Sequence, residues 1–224
     1  MDEEFNPEIF THNKWVILKE IAEAPQSPSD LATKTGTSLS NIIQQLKLLE
    51  AYKIVRKGKS DEKNAGKPKT IYHLNIEMAY ATILMDGKAE HKVYGINESN
   101  KMFFNILSVM TPEDVVYMLK FSFKYEDILK KCKAMGFLRS TKDSIELFLI
   151  TEHIDEIRSK FSNIFVDDHQ GKTKKRVNWS HHEFEITDGL TRKDKYFMDM
   201  TKNVQIIKDS DNTLLNFKRK REEM

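Results

Sequence analysis

Ser38, Ser40, Asn41, Gln44 and Gln45 fall in one short stretch, TSLSNIIQQLKLLE, and each carries a hydroxyl or an amide and no charge. Asparagine and glutamine can each form two hydrogen bonds to one adenine, and serine can donate or accept at a base edge. Among them Ile42, Leu46 and Leu49 recur at the spacing of one helix face. Lys47 lies on the polar side of the same stretch, and Lys57, Lys59, Lys67 and Lys69 follow it. Ammonium groups hold phosphates without regard to base identity. The combination suits a duplex, whose major groove admits an α-helix.

The flanking chain must hold those side chains outward. Residues 10–24, FTHNKWVILKEIAEA, place Trp15, Leu18, Ile21 and Ala22 at helical spacing, and Pro25 and Pro28 end that helix. Ser27 or Ser29 can cap a second helix over about 29–35, closed by Gly36. Thr37 or Ser38 caps a third, over about 38–52. Residues 53–57 predict a short strand, and TIYHLN at 70–75 predicts another. Between them KGKSDEKNAGKPK, 57–69, reads as a polar turn in which Gly58 and Gly66 permit sharp bends. Residues 76–85 read as a helix or its start. The short gap between the second and third helices has helix-turn-helix size, and two strands with a basic loop make a wing.

Residues 10–80 resemble the ArsR/MarR-like winged-helix transcription regulators. That family often shows L-x-x-x-L-x-x-x-G-L-I after the groove helix. Here the run is Leu46, Lys47, Leu48, Leu49, Glu50, Ala51, Tyr52, Lys53, Ile54, Val55, with Lys53 where the family usually has glycine. The helix end is therefore expected to differ in detail. The resemblance implies a winged helix-turn-helix over 1–85 that binds double-stranded DNA. Ser38, Ser40, Asn41, Gln44 and Gln45 would read bases, while Lys47, Lys57, Lys59, Lys67 and Lys69 would meet phosphates. A winged helix used for protein contacts is the alternative, and a scaffold of that kind would bind no duplex.

Charge agrees with a polyanion facing one region. Residues 1–33 carry two basic groups against seven acidic, a net of −5, whereas residues 34–74 carry nine against three, a net of +6. The whole chain of 224 residues is close to neutral at +2, with 39% hydrophobic and 31% charged residues, the composition of an ordinary water-soluble protein. No stretch approaches the ~20 apolar residues of a membrane span. MDEEFNPEIF lacks the basic-then-apolar pattern of a signal peptide. Cys132 is the only cysteine, so no intrachain disulfide can form, and a cytoplasmic location is expected.

The remainder is expected to form a connector and helix over 86–110 and a small α/β domain over 111–224, giving an α+β chain overall. Residues 86–98 read as the connector. Residues 99–110 form an amphipathic helix with Met102, Phe103, Ile106, Leu107 and Met110, and Thr111 and Pro112 start the next, running to about 135. A strand at 145–150, a helix at 153–165, a strand at 174–180, a helix at about 192–202 and a strand at 204–209 follow. This domain would mediate dimerisation or sense an unknown effector. A homodimer is expected because two half-sites multiply affinity and match a palindrome.

Residues 136–150, GFLRSTKDSIELFLI, are similar to a worn form of the minimal nucleotidyltransferase signature, G-S-x-x-x-G followed by S-D-I-D-L. The resemblance implies a glycine and serine holding a triphosphate and two aspartates holding a metal pair. Here Phe137 follows Gly136, the second glycine is missing, Ser144 stands at the first aspartate and Glu146 at the second. An inactive domain kept for sensing or assembly is expected, with no catalytic residue and no cofactor or metal. The alternative is a nucleotidyltransferase-type enzyme carrying a winged-helix targeting module. His153, His169, His181 and His182 invite a metal site, but adjacent histidines diverge on either a strand or a helix. Lys131 and Lys133 could lower the thiol pKa of Cys132, though a small core residue on an amphipathic helix is the plainer reading. Lys172, Lys174, Lys175 and Arg176, after Asp167 and Asp168, read as a solvated loop entering a strand, with a second phosphate contact as the alternative. Lys218 to Arg221 resemble a nuclear-localisation string, and a frayed, charged terminus explains them as well.

Overall fold

The computed structural model describes residues 9–60, 68–161, 164–167 and 174–224, with 174–179 as backbone. The chain is a mixed α+β protein in two compact units, Met1–Ile96 and Asn97–Met224.

In the first unit α1 (His12–Glu23), α2 (Pro28–Thr35) and α3 (Leu39–Ala51) precede an antiparallel pair, β1 (Val55–Lys59) and β2 (Thr70–Leu74). Pro28 starts α2, and the Ser27 hydroxyl accepts the Asp30 amide at 3.2 Å, satisfying an end N–H the helix cannot. Gly36 ends α2 at φ +64, a left-handed turn open to glycine without strain. Ser38 then caps α3, accepting the Asn41 amide at 3.4 Å. Ile17, Leu18, Ile21, Leu31, Ile42, Leu46, Leu49, Ile54, Val55 and Tyr72 make one core. The linker between α1 and α2 adds a rung to the sheet, since Gln26 and Tyr72 exchange backbone hydrogen bonds of 3.1 and 2.8 Å.

Residues 76–85 are not helical. β3 (Met78–Met85) pairs antiparallel with β4 (Lys88–Gly95), so the expected connector supplies a strand. Asp86 and Gly87 make the two-residue turn, Gly87 at φ +74. Asp-Gly between two runs is a hairpin signal, and it outweighs the helix propensity of Ala, Leu and Met in MAYATILM.

The second unit is a five-stranded sheet of order β7-β8-β6-β5-β9, built from β5 (Cys132–Ser140), β6 (Ser144–Thr151), β7 (Phe165–Asp167), β8 (Lys174–His181) and β9 (Gln205–Asp209). β6 and β8 run parallel, and the other pairs are antiparallel. Alternate residues of β6 face opposite ways. Ile145, Leu147 and Leu149 pack with α4 (Lys101–Val109), α5 (Pro112–Lys124), α6 (Glu126–Leu129) and α7 (Ile154–Phe161). Phe148 and Ile150 pack with α8 (Glu183–Thr191), α9 (Lys195–Asn203) and α10 (Thr213–Glu222). The central strand is thus buried on both sides, which is why its sequence is almost continuously apolar.

Two expectations fail here, the helix running to about 135 and the frayed terminus, and one helix between them was not expected, although the helix expected at about 192–202 is present as α9. The helix from Pro112 stops at Lys124, and Cys132 begins a strand, not a helix turn. The helix expected at 192–202 is preceded by α8, and Lys193 breaks the two at φ +55, with its amide on the Leu190 carbonyl and the Asp194 amide on that of Gly189. Asp194 then caps α9 through the Tyr196 and Phe197 amides at 2.9 and 3.3 Å. The charged terminus is not frayed. Asp209 accepts the Leu214 and Leu215 amides at 3.1 and 2.9 Å, Leu214 and Phe217 are buried, and Lys218 donates to the Val204 carbonyl at 2.8 Å.

Candidate nucleic-acid interface

The corner between α2 and α3 is Gly36, Thr37 and Ser38. It sets α3 with Ile42, Leu46 and Leu49 inward. At about 100° per residue, Ser40, Gln44 and Lys47 form a line on the opposite side. All three are exposed, and so is Ser38 at the cap. Asn41 and Gln45 fall to the flank, half-buried, and bind each other through Gln45 Nε2 and Asn41 Oδ1 at 3.0 Å. The expected reading set therefore divides: Ser40, Gln44 and Lys47 stand together, while two amides are engaged with one another. Leu39, Ile43 and Leu48 are also exposed on α3 and lie outside the set expected to act. At about 100° per residue Leu48, two positions from Leu46, turns away from the core face and so carried a signal, whereas Leu39, seven positions before Leu46, shares that face and carried none.

The far end of α3 settles what Lys53 does. Its φ is +57, its amide donates to the Glu50 carbonyl at 2.9 Å, and the next amide, Ile54, reaches back to Leu49 at 2.9 Å. This is a Schellman ending, in which buried Ile54 and Leu49 share one core. Lysine here takes the left-handed conformation that glycine adopts without strain, and the helix closes in that turn despite the side chain. Asn75 Nδ2 holds the Lys53 carbonyl at 2.9 Å.

The hairpin lysines have distinct partners. Lys57 lies 2.6 Å from Glu50 Oε2 and 5.8 Å from the centre of the Tyr72 ring. The Glu50 hydrogen bond raises its pKa. Lys69 grips both oxygens of Asp30, at 3.0 and 3.1 Å. The Ser27 hydroxyl first and Lys69 second hold the Asp30 carboxyl below its usual range. Lys47 and Lys59 are exposed and make no ion pair among the described residues. Lys67 lies outside the described residues. Exposed ion pairs are worth ~0–1 kcal/mol, so Lys57 and Lys69 can exchange a carboxylate for a phosphate at small cost.

In the second unit Gly136 lies inside β5. A Cβ there would collide with Val204 Cγ2 and meet the Gln205 carbonyl at 3.2 Å, so glycine is needed for the close approach of β9. Ser144 opens β6 and shares a 2.9 Å hydrogen bond with Thr141. Glu146 pairs with Arg139 at 2.8 Å. Cys132 is the small core residue that the plainer reading expected, and burial pushes its thiol up to about 11, not down as Lys131 and Lys133 could have. Among the described residues no group of three His, Cys, Asp or Glu side chains is placed to hold a metal ion. His169, Lys172 and Asp168 lie outside them. One cluster escaped the sequence: His181 bridges Glu185 at 3.3 Å and the Tyr196 hydroxyl at 3.0 Å, stacked on Phe148. Burial lowers its pKa.

A scan of protein families and a search of curated proteins each return no match to this chain. Among the described residues no helix is long and apolar enough to cross a membrane.

Proposed function

We propose that this chain is a sequence-specific DNA-binding transcription regulator whose first unit is a winged helix-turn-helix. α3 enters the major groove, and the β1–β2 hairpin lays its lysines on the backbone. The observation that carries the reading is the line Ser40, Gln44, Lys47, presented to solvent by a helix whose other face is core. The left-handed Lys53, at the position where the resembling family has glycine, supports it. A homodimer on two half-sites, with the second unit mediating assembly or sensing an effector, completes the proposal.

Binding of duplex DNA, titrated against salt, tests it. Lys47→Ala and Lys59→Ala should each weaken binding on every sequence and reduce the salt slope by about 1. Gln44→Ala should cost about 1–3 kcal/mol at the preferred base only. Equal losses on all sequences from Gln44→Ala would remove its reading role. Transfer from labelled nucleoside triphosphate with magnesium, abolished by Glu146→Gln, would instead make the chain an enzyme.

A further inference from the structure

Leu39 is 47% exposed, Ile43 38% and Leu48 42%, on the same helix whose polar line is proposed to read bases. Single exposed apolar residues are ordinary. What matters here is placement. Side chains three or four apart on a helix are neighbours. Leu48 stands one turn from Gln44, and Ile43 stands beside both Ser40 and Lys47, so the two border the polar line on opposite sides. A protein-docking helix would place such groups around an apolar centre depleted in lysine. Here the centre is hydroxyl, amide and ammonium, and the apolar groups form its margins.

Only the A·T pair offers both kinds of surface at the major-groove edge. Thymine carries a C5-methyl, and its partner adenine presents the N6/N7 pair that an amide can grip with two hydrogen bonds. One helical turn of about 5.4 Å spans less than two base steps of about 3.4 Å, so Gln44 and Leu48 reach the same or adjacent pairs. We infer that Gln44, Ile43 and Leu48 act together to select A·T pairs, Gln44 through the adenine edge and the two apolar side chains through thymine methyl groups. The inference rests on the nucleic-acid reading above and adds to it the class of base that the helix selects.

A random duplex pool enriched on the full chain supplies the probe, and the winning duplex is resynthesised with deoxyuridine replacing one thymine at a time. Uridine differs from thymine at this edge only by the missing methyl. At one or more positions the replacement should weaken binding roughly fourfold, the value of one buried methyl-sized group. Ile43→Ala or Leu48→Ala should erase the penalty at its own position and leave the adenine preference in place. If every thymine tolerates uridine, or if the penalty survives both substitutions, the inference is overturned while the nucleic-acid reading stands. If no duplex is enriched at low salt, the nucleic-acid reading itself fails.

Discussion

Lys53 holds a backbone conformation that costs an L-residue about 1–2 kcal/mol, and it does so to close α3. Lys53→Gly should therefore raise the stability of the first unit by about 1 kcal/mol, seen as a higher urea midpoint at unchanged slope. Gly136 is the opposite case. Gly136→Ala forces a methyl against Val204 and a backbone carbonyl, overpacking that costs typically ~1–3 kcal/mol. A Trp15→Phe background leaves Trp179, on β8, as the single indole to follow that loss. Cys132, with its thiol held up at about 11 by burial, should not react with a disulfide reagent at neutral pH until the chain unfolds. Rapid labelling of the native chain would show that the start of β5 opens.

At the scale of elements, the sequence carried α1, α2, α3, β1 and β2 to within a few residues. Their ends are written in local chemistry: Ser27, Pro28, Gly36 and Ser38 act within four residues of where they stand. The site was half legible for the same reason. Helical spacing places Gln44 and Lys47 outward, but it does not show that Asn41 and Gln45 would satisfy each other, or that Lys57 and Lys69 would find Glu50 and Asp30. Those partners come from packing of distant segments. The β3–β4 hairpin was missed because its alanines, leucine and methionines also suit a helix. α10 was missed because the carboxylate that takes its first amides, Asp209, belongs to the preceding strand, while Asn212 at the cap position makes no side-chain cap bond. Asp209→Ala should cost about 1 kcal/mol, and amide exchange at Leu214 and Leu215 should accelerate ahead of the rest of the unit.

For the whole molecule, acid acts through two windows. His181 is held neutral by burial, with its folded pKa below the ordinary 6.5. The unfolded chain then takes up the proton first, so stability is full above 6.5 and declines as pH falls through the folded value. Glu156, hydrogen-bonded first to Lys131 and then to Lys160, is lowered from 4.5 to about 2, and its contribution is lost only between those values. The thermal midpoint of the second unit should fall as pH drops below neutrality, and His181→Asn should flatten that upper limb while leaving the lower one. An unchanged upper limb would assign it to other groups.

One further consequence belongs to the β3–β4 hairpin. It is a two-stranded sheet among the described residues, and a strand at the edge of a sheet can template further strands. β4 carries Lys88, Glu90 and Lys92, whereas β3 has no charged residue from Met78 to Met85 and ends in exposed Leu84 and Met85. β3 is therefore the seam along which crowded solutions of this chain would grow ribbons. A single ammonium introduced at exposed Thr82 would lengthen the lag before such growth begins.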